Sequence, residues 1–261
     1  MPEPLLKIKN LKIRAYGDFE YREIIKGLTL EVKDFQIVAL VGGSGSGKTT
    51  AGLSILRLLP AGLTLEGGEI WFKDENLLNL SNPHMRRLRG KEIAMVFQEP
   101  LSALNPVFSI GFQIEEVIRF HAKLKRRERK EKVLELLSLT GISDPRRIAK
   151  SYPHQLSGGM RQRAMIAQAI AAQPKLIIAD EPTSNLDVTL QAHIIHLLRK
   201  LKEELGISIL LITHDLGVVR HLADKVGVLF DGRIVEFGDT AEILENPQHP
   251  FTGELTRALA D

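Results

Sequence analysis

The chain has 261 residues, no cysteine, and 35 basic against 32 acidic side chains for a net charge of +3. The absence of cysteine excludes a disulfide framework, a thiolate zinc site and a cysteine-ligated iron–sulfur cluster, and so small a charge excess gives no argument for nucleic acid. A chain of this length buries roughly 73% of its unfolded surface, enough for an independent core, while no apolar run approaches the ~18 residues of a membrane span and MPEPLLKIKN lacks a signal-peptide apolar region, so a soluble or peripheral protein is expected.

Alternating patterns at Leu6–Arg14 and Leu28–Val32, and again at Glu69–Phe72, predict antiparallel strands. Trp71, the one tryptophan, reads as core packing in the last of these. Gln36–Val41 is a short apolar, β-branched run expected to form a buried strand. It is followed by GGSGSGKTT and then by helical apolar spacing from Thr49 to Leu59, stopped at Pro60. Ile93–Phe97 predicts another buried strand ending at Gln98. Between Pro100 and Pro153 the character is helical, and this stretch reads as an insertion into an α/β core formed by 1–99 and 154–261. Ser157 is placed to cap a helix over Gly158–Ala172, Leu176–Ala179 reads as a buried strand, and Asp187 caps a long amphipathic helix to Leu205. Ile207–Thr213 is a further strand with His214 at its tip, and Asp231-Gly232 marks a type I′ hairpin. Buried strands alternating with helices imply an α/β fold with a mostly parallel sheet, an antiparallel β subdomain and a helical subdomain.

The segment Gly42–Thr50 fits GxxxxGK followed by Ser or Thr, and it lies between a strand and a helix, as a phosphate-binding loop requires. In that reading the backbone of Gly42, Gly43, Ser44, Gly45, Ser46 and Gly47 wraps the phosphates, and Thr50 belongs to the same cradle. Lys48 reaches the β- and γ-phosphates, and Thr49 offers its hydroxyl to Mg²⁺, a cation that prefers oxygen. Asp180, at the end of an apolar strand, is expected to hold Mg²⁺ directly or through water, and Glu181 to polarise the attacking water. Gln98 is a candidate for Mg²⁺ or the water, and His214 for the γ-phosphate and for fixing Glu181. Ser157, Gly158 and Gly159 form a second anion site at a helix start. One phosphate loop with two phosphate-binding surfaces is explained if the second serves a neighbouring subunit.

Gly42–Thr49, Gln98, LSGGM at 156–160, IIADEP at 177–182, Asp187 in SNLD and His214 resemble, in order and spacing, the ATP-binding subunit of ABC transporters. The resemblance covers essentially the whole chain. It implies a head-to-tail dimer with ATP held between the Walker A loop of one subunit and LSGGM of the other. It also implies an aromatic residue stacking on adenine; Tyr16 is our choice, with Phe19 and Tyr21 in competition. RGKEIAMVFQEPLSALNPV, YPHQLSGGMRQR and HPFT look like the oligopeptide, dipeptide and nickel importer branch. Its partners would be transmembrane permease subunits, a second and unlike ATPase subunit (a homodimer being the alternative), and indirectly an extracytoplasmic solute-binding protein. The location implied is the cytoplasmic face of the cell membrane, peripherally bound. This chain departs from the branch at Gly43, where glutamate is common, and at Asn185, where a small residue is usual. It ends at Asp261, where many relatives continue, some into a cysteine-rich tail.

KLKRRERKEK at 123–132 reads as a solvated helix face, since no aromatic residues interleave with the charges. His193 and His196 lack a second ligand pair, so no metal site is expected there. Two function classes follow: the ATPase motor of an importer for peptides, a nickel chelate or an oligosaccharide, and, as the alternative, a soluble ABC-type ATPase acting on DNA, ribosomes or cofactor assembly. The long coiled coils and fused second ATPase units of the alternative are missing, and no nucleic-acid partner is expected.

Overall fold

In the computed structural model, which describes residues 3–16 and 21–257, the elements in chain order are β1 (Leu6–Tyr16), β2 (Tyr21–Val32), β3 (Ile37–Gly42), α1 (Lys48–Ile55), β4 (Leu63–Phe72), β5 (Glu75–Asn76), α2 (Asn82–Leu88), β6 (Ile93–Val96), α3 (Pro100–Ala103), α4 (Ile110–His121), α5 (Arg126–Leu139), α6 (Pro145–Lys150), α7 (Gly158–Ala169), β7 (Leu176–Asp180), α8 (Val188–Leu205), β8 (Ser208–Ile212), α9 (Leu216–Leu222), β9 (Lys225–Phe230), β10 (Arg233–Asp239), α10 (Thr240–Glu245) and α11 (Pro250–Arg257). They fall into two units, 1–85 with 206–261, and 86–205.

In the first unit β1 pairs antiparallel with β2 and with β4, so that Leu6 faces Val32 on one side and Phe72 on the other. The inward residues Leu6, Ile8, Leu11, Ile13, Leu28, Leu30 and Phe72 are buried, in the period-2 alternation of strands, which slips by one residue at the β1 irregularity between Ile8 and Leu11. A second group of strands is built on β3, which pairs parallel with β8 and with β9. Both β3 and β8 are buried along their whole length, the mark of strands covered on both faces. The β9–β10 hairpin closes through Asp231 (φ 45°) and Gly232 (φ 73°), the two positive φ angles of the expected type I′ turn.

The second unit holds the parallel pair β6 and β7 and the helices α3 to α8. The helical stretch read from 100 to 153 lies inside it as α3, α4, α5 and α6. Helix α8 buries Ile194, Leu197, Leu198 and Leu201, the i, i+3, i+4, i+7 face of an amphipathic helix. Along α5 the charge run forms its own pairs, Arg127 with Glu131 and Lys132 with Glu135, and Arg129 reaches Glu115 on α4. His193 and His196 are exposed, and among the described residues no group of three or more His, Cys, Asp or Glu side chains is placed to hold a metal. No helix among them is long and apolar enough to cross a membrane.

Three readings of local structure need correction. The helix expected over 49–59 ends at Ile55, because Arg57 turns left-handed (φ 53°). Its guanidinium is drawn to the Leu80 carbonyl at 2.5 Å and to Asn82 Oδ1 at 3.2 Å, contacts that a continued helix would not make. The helix expected over 158–172 ends at Ala169; Gln173 adopts φ 56° immediately before Pro174, whose ring disfavours the right-handed helical conformation there. Trp71 is only half-buried: its Nε1 donates to Glu69 Oε2 at 2.8 Å and Lys9 lies 5.8 Å from its ring, while Phe72 takes the core position.

Candidate functional site

The loop after β3 is shaped by its glycines. A Cβ on Gly42 would collide with the Leu229 carbonyl oxygen on the neighbouring strand β9, so only glycine fits. Gly47, the residue before α1, has φ 100°, a left-handed conformation natural to glycine. The chain turned this way brings Lys48 back over its own loop. Its Nζ donates to the carbonyl oxygens of Gly42 at 2.9 Å and Gly43 at 2.8 Å, and the side chain is only 7% exposed. A buried ammonium would be costly without such acceptors. At the start of α1, whose N-terminus carries partial positive charge, Thr49 is exposed and Thr50 half-buried. Beside the loop opens a cleft of 380 Å³, lined on one side by Gly43, Ser44, Gly45 and Ser46. Its other walls are Arg22–Ile24 of β2, the hairpin residues Phe230–Gly232, and Phe251.

Tyr16 ends β1 opposite Tyr21, with the rings edge to face at 5.1 Å. Ala15 and Arg14 pair with Arg22 and Glu23, which places Tyr16 at the β1–β2 end next to the cleft wall. Its hydroxyl donates to Glu66 Oε1 at 2.9 Å, and that bond, ahead of burial and the glutamate's charge, raises the phenol above its ordinary pKa. Phe19 lies outside the described residues.

His214 follows β8. Because β8 runs parallel to β3, with Thr213 N donating to Leu40 O at 3.2 Å, the ends that carry His214 and the phosphate loop point the same way. His214 is exposed on a bend whose next residue, Asp215, caps α9 by accepting from Gly217 N and Val218 N.

In the second unit the parallel register of β6 and β7, Val96 opposite Ala179, brings Gln98 and Asp180 to one end of that pair. Gln98 is exposed, whereas Asp180 is 2% and Glu181 8% exposed. Glu181 has φ 46°, left-handed and strained for a residue other than glycine, at a cost of order 1–3 kcal/mol. Its carbonyl accepts from Ser184 N and Ser184 Oγ, which closes the turn. Gln162, to which no sequence motif assigns a role, donates from its buried amide to Pro182 O at 2.8 Å. A polar residue in the buried stripe of an otherwise amphipathic helix is the signal that could have found it. Asn185 also takes the left-handed conformation (φ 60°), which asparagine tolerates better than most residues.

Ser157 caps α7 by accepting from Met160 N at 3.4 Å, and Ser157 and Gly158 are exposed while Gly159 is buried close to Leu190. Asp187 caps α8 through Leu190 N at 2.9 Å. The start of this twelve-residue helix lies where the second anion site was expected, with Ser157 and Gly158 exposed.

A family model described as ABC transporter matches residues 25–184. The chain belongs to the ABC transporter family. Two relatives bear this out over nearly the full chain. The probable peptide ABC transporter ATP-binding protein y4tR of Sinorhizobium fredii is 46% identical, covering 98% of this chain and 77% of its own length. The oligopeptide transport ATP-binding protein OppD of Bacillus subtilis is 44% identical, covering 98% and 72%. Among solved structures, the ATP-binding cassette MJ0796, as a post-hydrolysis dimer bound to ADP and phosphate, superposes with a TM-score of 0.81 at 30% identity over 90% of this chain and 98% of that one. The cbiO1 protein of Clostridium perfringens gives 0.80 at 28% identity over 98% and 100%. This chain is therefore an ABC-type, ATP-binding ATPase with the P-loop fold, of the transporter-associated kind.

Proposed function

We propose that this ABC ATPase hydrolyses ATP to drive import of peptides or a related small solute, such as a nickel chelate or oligosaccharide, through a membrane permease. The observation that carries the ATP site is the Lys48 ammonium drawn into the loop by the carbonyls of Gly42 and Gly43 at the start of α1. There Lys48 neutralises charge on the β- and γ-phosphates, while loop N–H groups and the α1 terminus hold the remaining oxygens. Thr49, Gln98 and Asp180 offer only oxygen donors, the set that suits Mg²⁺. The metal, when bound with ATP, offsets phosphate charge. Glu181 polarises the attacking water, and His214 contacts the γ-phosphate and fixes Glu181. Tyr16 stacks on adenine.

The start of α7, Ser157–Gly159, with Ser157 and Gly158 exposed, receives the γ-phosphate of a second subunit's ATP, with Asp187 at the same interface. The second subunit is an unlike ATPase, with a homodimer as the alternative. The stretch 100–153 is the helical subdomain, and 1–99 with 154–261 the nucleotide-binding core. Permease subunits anchor the pair at the cytoplasmic face of the membrane, and an extracytoplasmic binding protein delivers solute. The relatives named for peptide import support this reading over the alternative of an ATPase acting on DNA, ribosomes or cofactor assembly.

The test is to express the chain with its neighbouring genes, isolate membranes and measure ATP-dependent peptide uptake. Lys48→Ala should abolish uptake and ATPase activity together, since such clamps supply several kcal/mol to the transition state. Near-normal turnover in that variant refutes the site. Copurification with ribosomes or DNA instead of permease refutes the transport reading.

A further inference from the structure

We propose that Phe251 is a positioning residue for the phosphate loop, fixing Gly43 and, through its carbonyl, the Lys48 ammonium; this rests on the reading of 42–49 given above. HPFT is a sequence motif that the ATP site leaves without a role. In the structure it reaches the loop. A Cβ on Gly43 would stand 4.0 Å from Phe251 Cζ, and both residues line the cleft, so the ring bounds the space into which Gly43 could shift. Gly43 O is in turn one of the two carbonyls holding Lys48 Nζ. A displacement of Gly43 therefore moves the acceptor of the cation that meets the phosphates.

The ring is itself held from behind. Its centroid lies 4.4 Å from that of Phe230, at the end of β9, and the residue before Phe230 is the Leu229 that pairs with Gly42. The segment leading into α11 is tied down by Gln248 N, which donates to Glu236 Oε1 at 2.7 Å. Phe251 N donates to His249 Nδ1 at 3.2 Å, which sets the first turn of α11. Gly43–Gly47 contains three glycines and two serines, side chains too small to fix the loop by their own packing. A loop ordered beforehand by an aromatic wall loses less entropy when nucleotide binds.

The experiment is titration of the purified full-length chain with ATP–Mg²⁺, for Phe251→Ala, Phe251→Leu, Lys48→Ala and a control, Phe35→Ala. Phe35 is an exposed aromatic packed against Gly206 in the same unit, away from the loop. Phe251→Ala should raise the dissociation constant by about two- to thirtyfold, the range for coupling through packed side chains. Phe251→Leu should restore part of the affinity, and Phe35→Ala should leave it unchanged whatever it does to the melting temperature. In the assembled transporter, KM for ATP should rise more than kcat falls. Wild-type affinity in Phe251→Ala, or an equal loss in Phe35→Ala, overturns the proposal. If Phe251→Ala does not fold, Phe251→Leu decides: a raised dissociation constant in the folded variant supports the role, and wild-type affinity ends it. If Lys48→Ala binds as well as wild type, the loop reading itself fails; if only the Phe251 variants do, this inference alone fails.

Discussion

The side-chain amide of Gln162 donates to the carbonyl oxygen of Pro182 at 2.8 Å, joining helix α7 to the turn that follows Glu181. Gln162 is 3% exposed, so water cannot readily replace this donor. Gln162→Leu keeps much of the side-chain volume and leaves the carbonyl without it. We expect a loss of about 1–3 kcal/mol in unfolding free energy. Urea denaturation checks this, and a change within the ordinary surface range of about 0.5 kcal/mol would show that the bond contributes nothing.

Glu181→Gln keeps the shape of the side chain and removes the carboxylate proposed to polarise water. Slow hydrolysis with retained ATP binding is expected, together with a nucleotide-locked dimer on size exclusion in ATP–Mg²⁺. A variant that stays monomeric with ATP when its proper partner is present contradicts the clamp.

Ser157→Arg removes the cap on Met160 N, costing about 1 kcal/mol of helix stability, and sets a bulky cation where a neighbour's γ-phosphate is proposed to dock. Nucleotide should still bind this chain, because Lys48 and Thr49 are intact, while ATP-driven dimerisation fails. If homodimers form, mixing Ser157→Arg with Lys48→Ala subunits leaves one composite site free of both lesions, and part of the activity should return. A mixture as inactive as either variant, with mixed dimers shown to form, would place Ser157 in its own subunit's function or make the two sites interdependent.

Burial alone would raise the Glu236 carboxyl, but the Thr252 hydroxyl and the backbone N–H groups of Gln248 and His249 outweigh it and hold the group below the ordinary glutamate range. The folded value is depressed, so the stabilisation is fully present above the unfolded pKa and is lost as pH falls through the folded one. Melting curves from neutral to acidic pH should show wild type more stable than Glu236→Gln near neutrality, with the gap closing on acidification. A gap that persists unchanged to strongly acidic pH would contradict the carboxylate's role.

The sequence by itself determined whatever depends on neighbours along the chain. Gly42–Thr49 is legible because a phosphate loop is a local conformation, and its glycines, lysine and hydroxyls are contiguous. Asp180-Glu181 and His214 were legible because each ends a short, β-branched apolar run of strand length. Ser157, Asp187 and the Asp231-Gly232 turn announced themselves by side-chain chemistry that acts within three residues. Tertiary structure decided the rest, since it depends on groups brought together from distant parts of the chain. Helix α1 stops at Ile55 where Arg57 turns left-handed and its side chain meets Leu80 and Asn82. Gly42 must be glycine partly because the Leu229 carbonyl lies beside it. Phe251 comes to line the same cleft as Gly43, and Gln162 reaches Pro182, through placements that no periodicity encodes, because a side chain's neighbours across a folded chain are fixed by shape and hydrogen-bond satisfaction and not by spacing in the sequence.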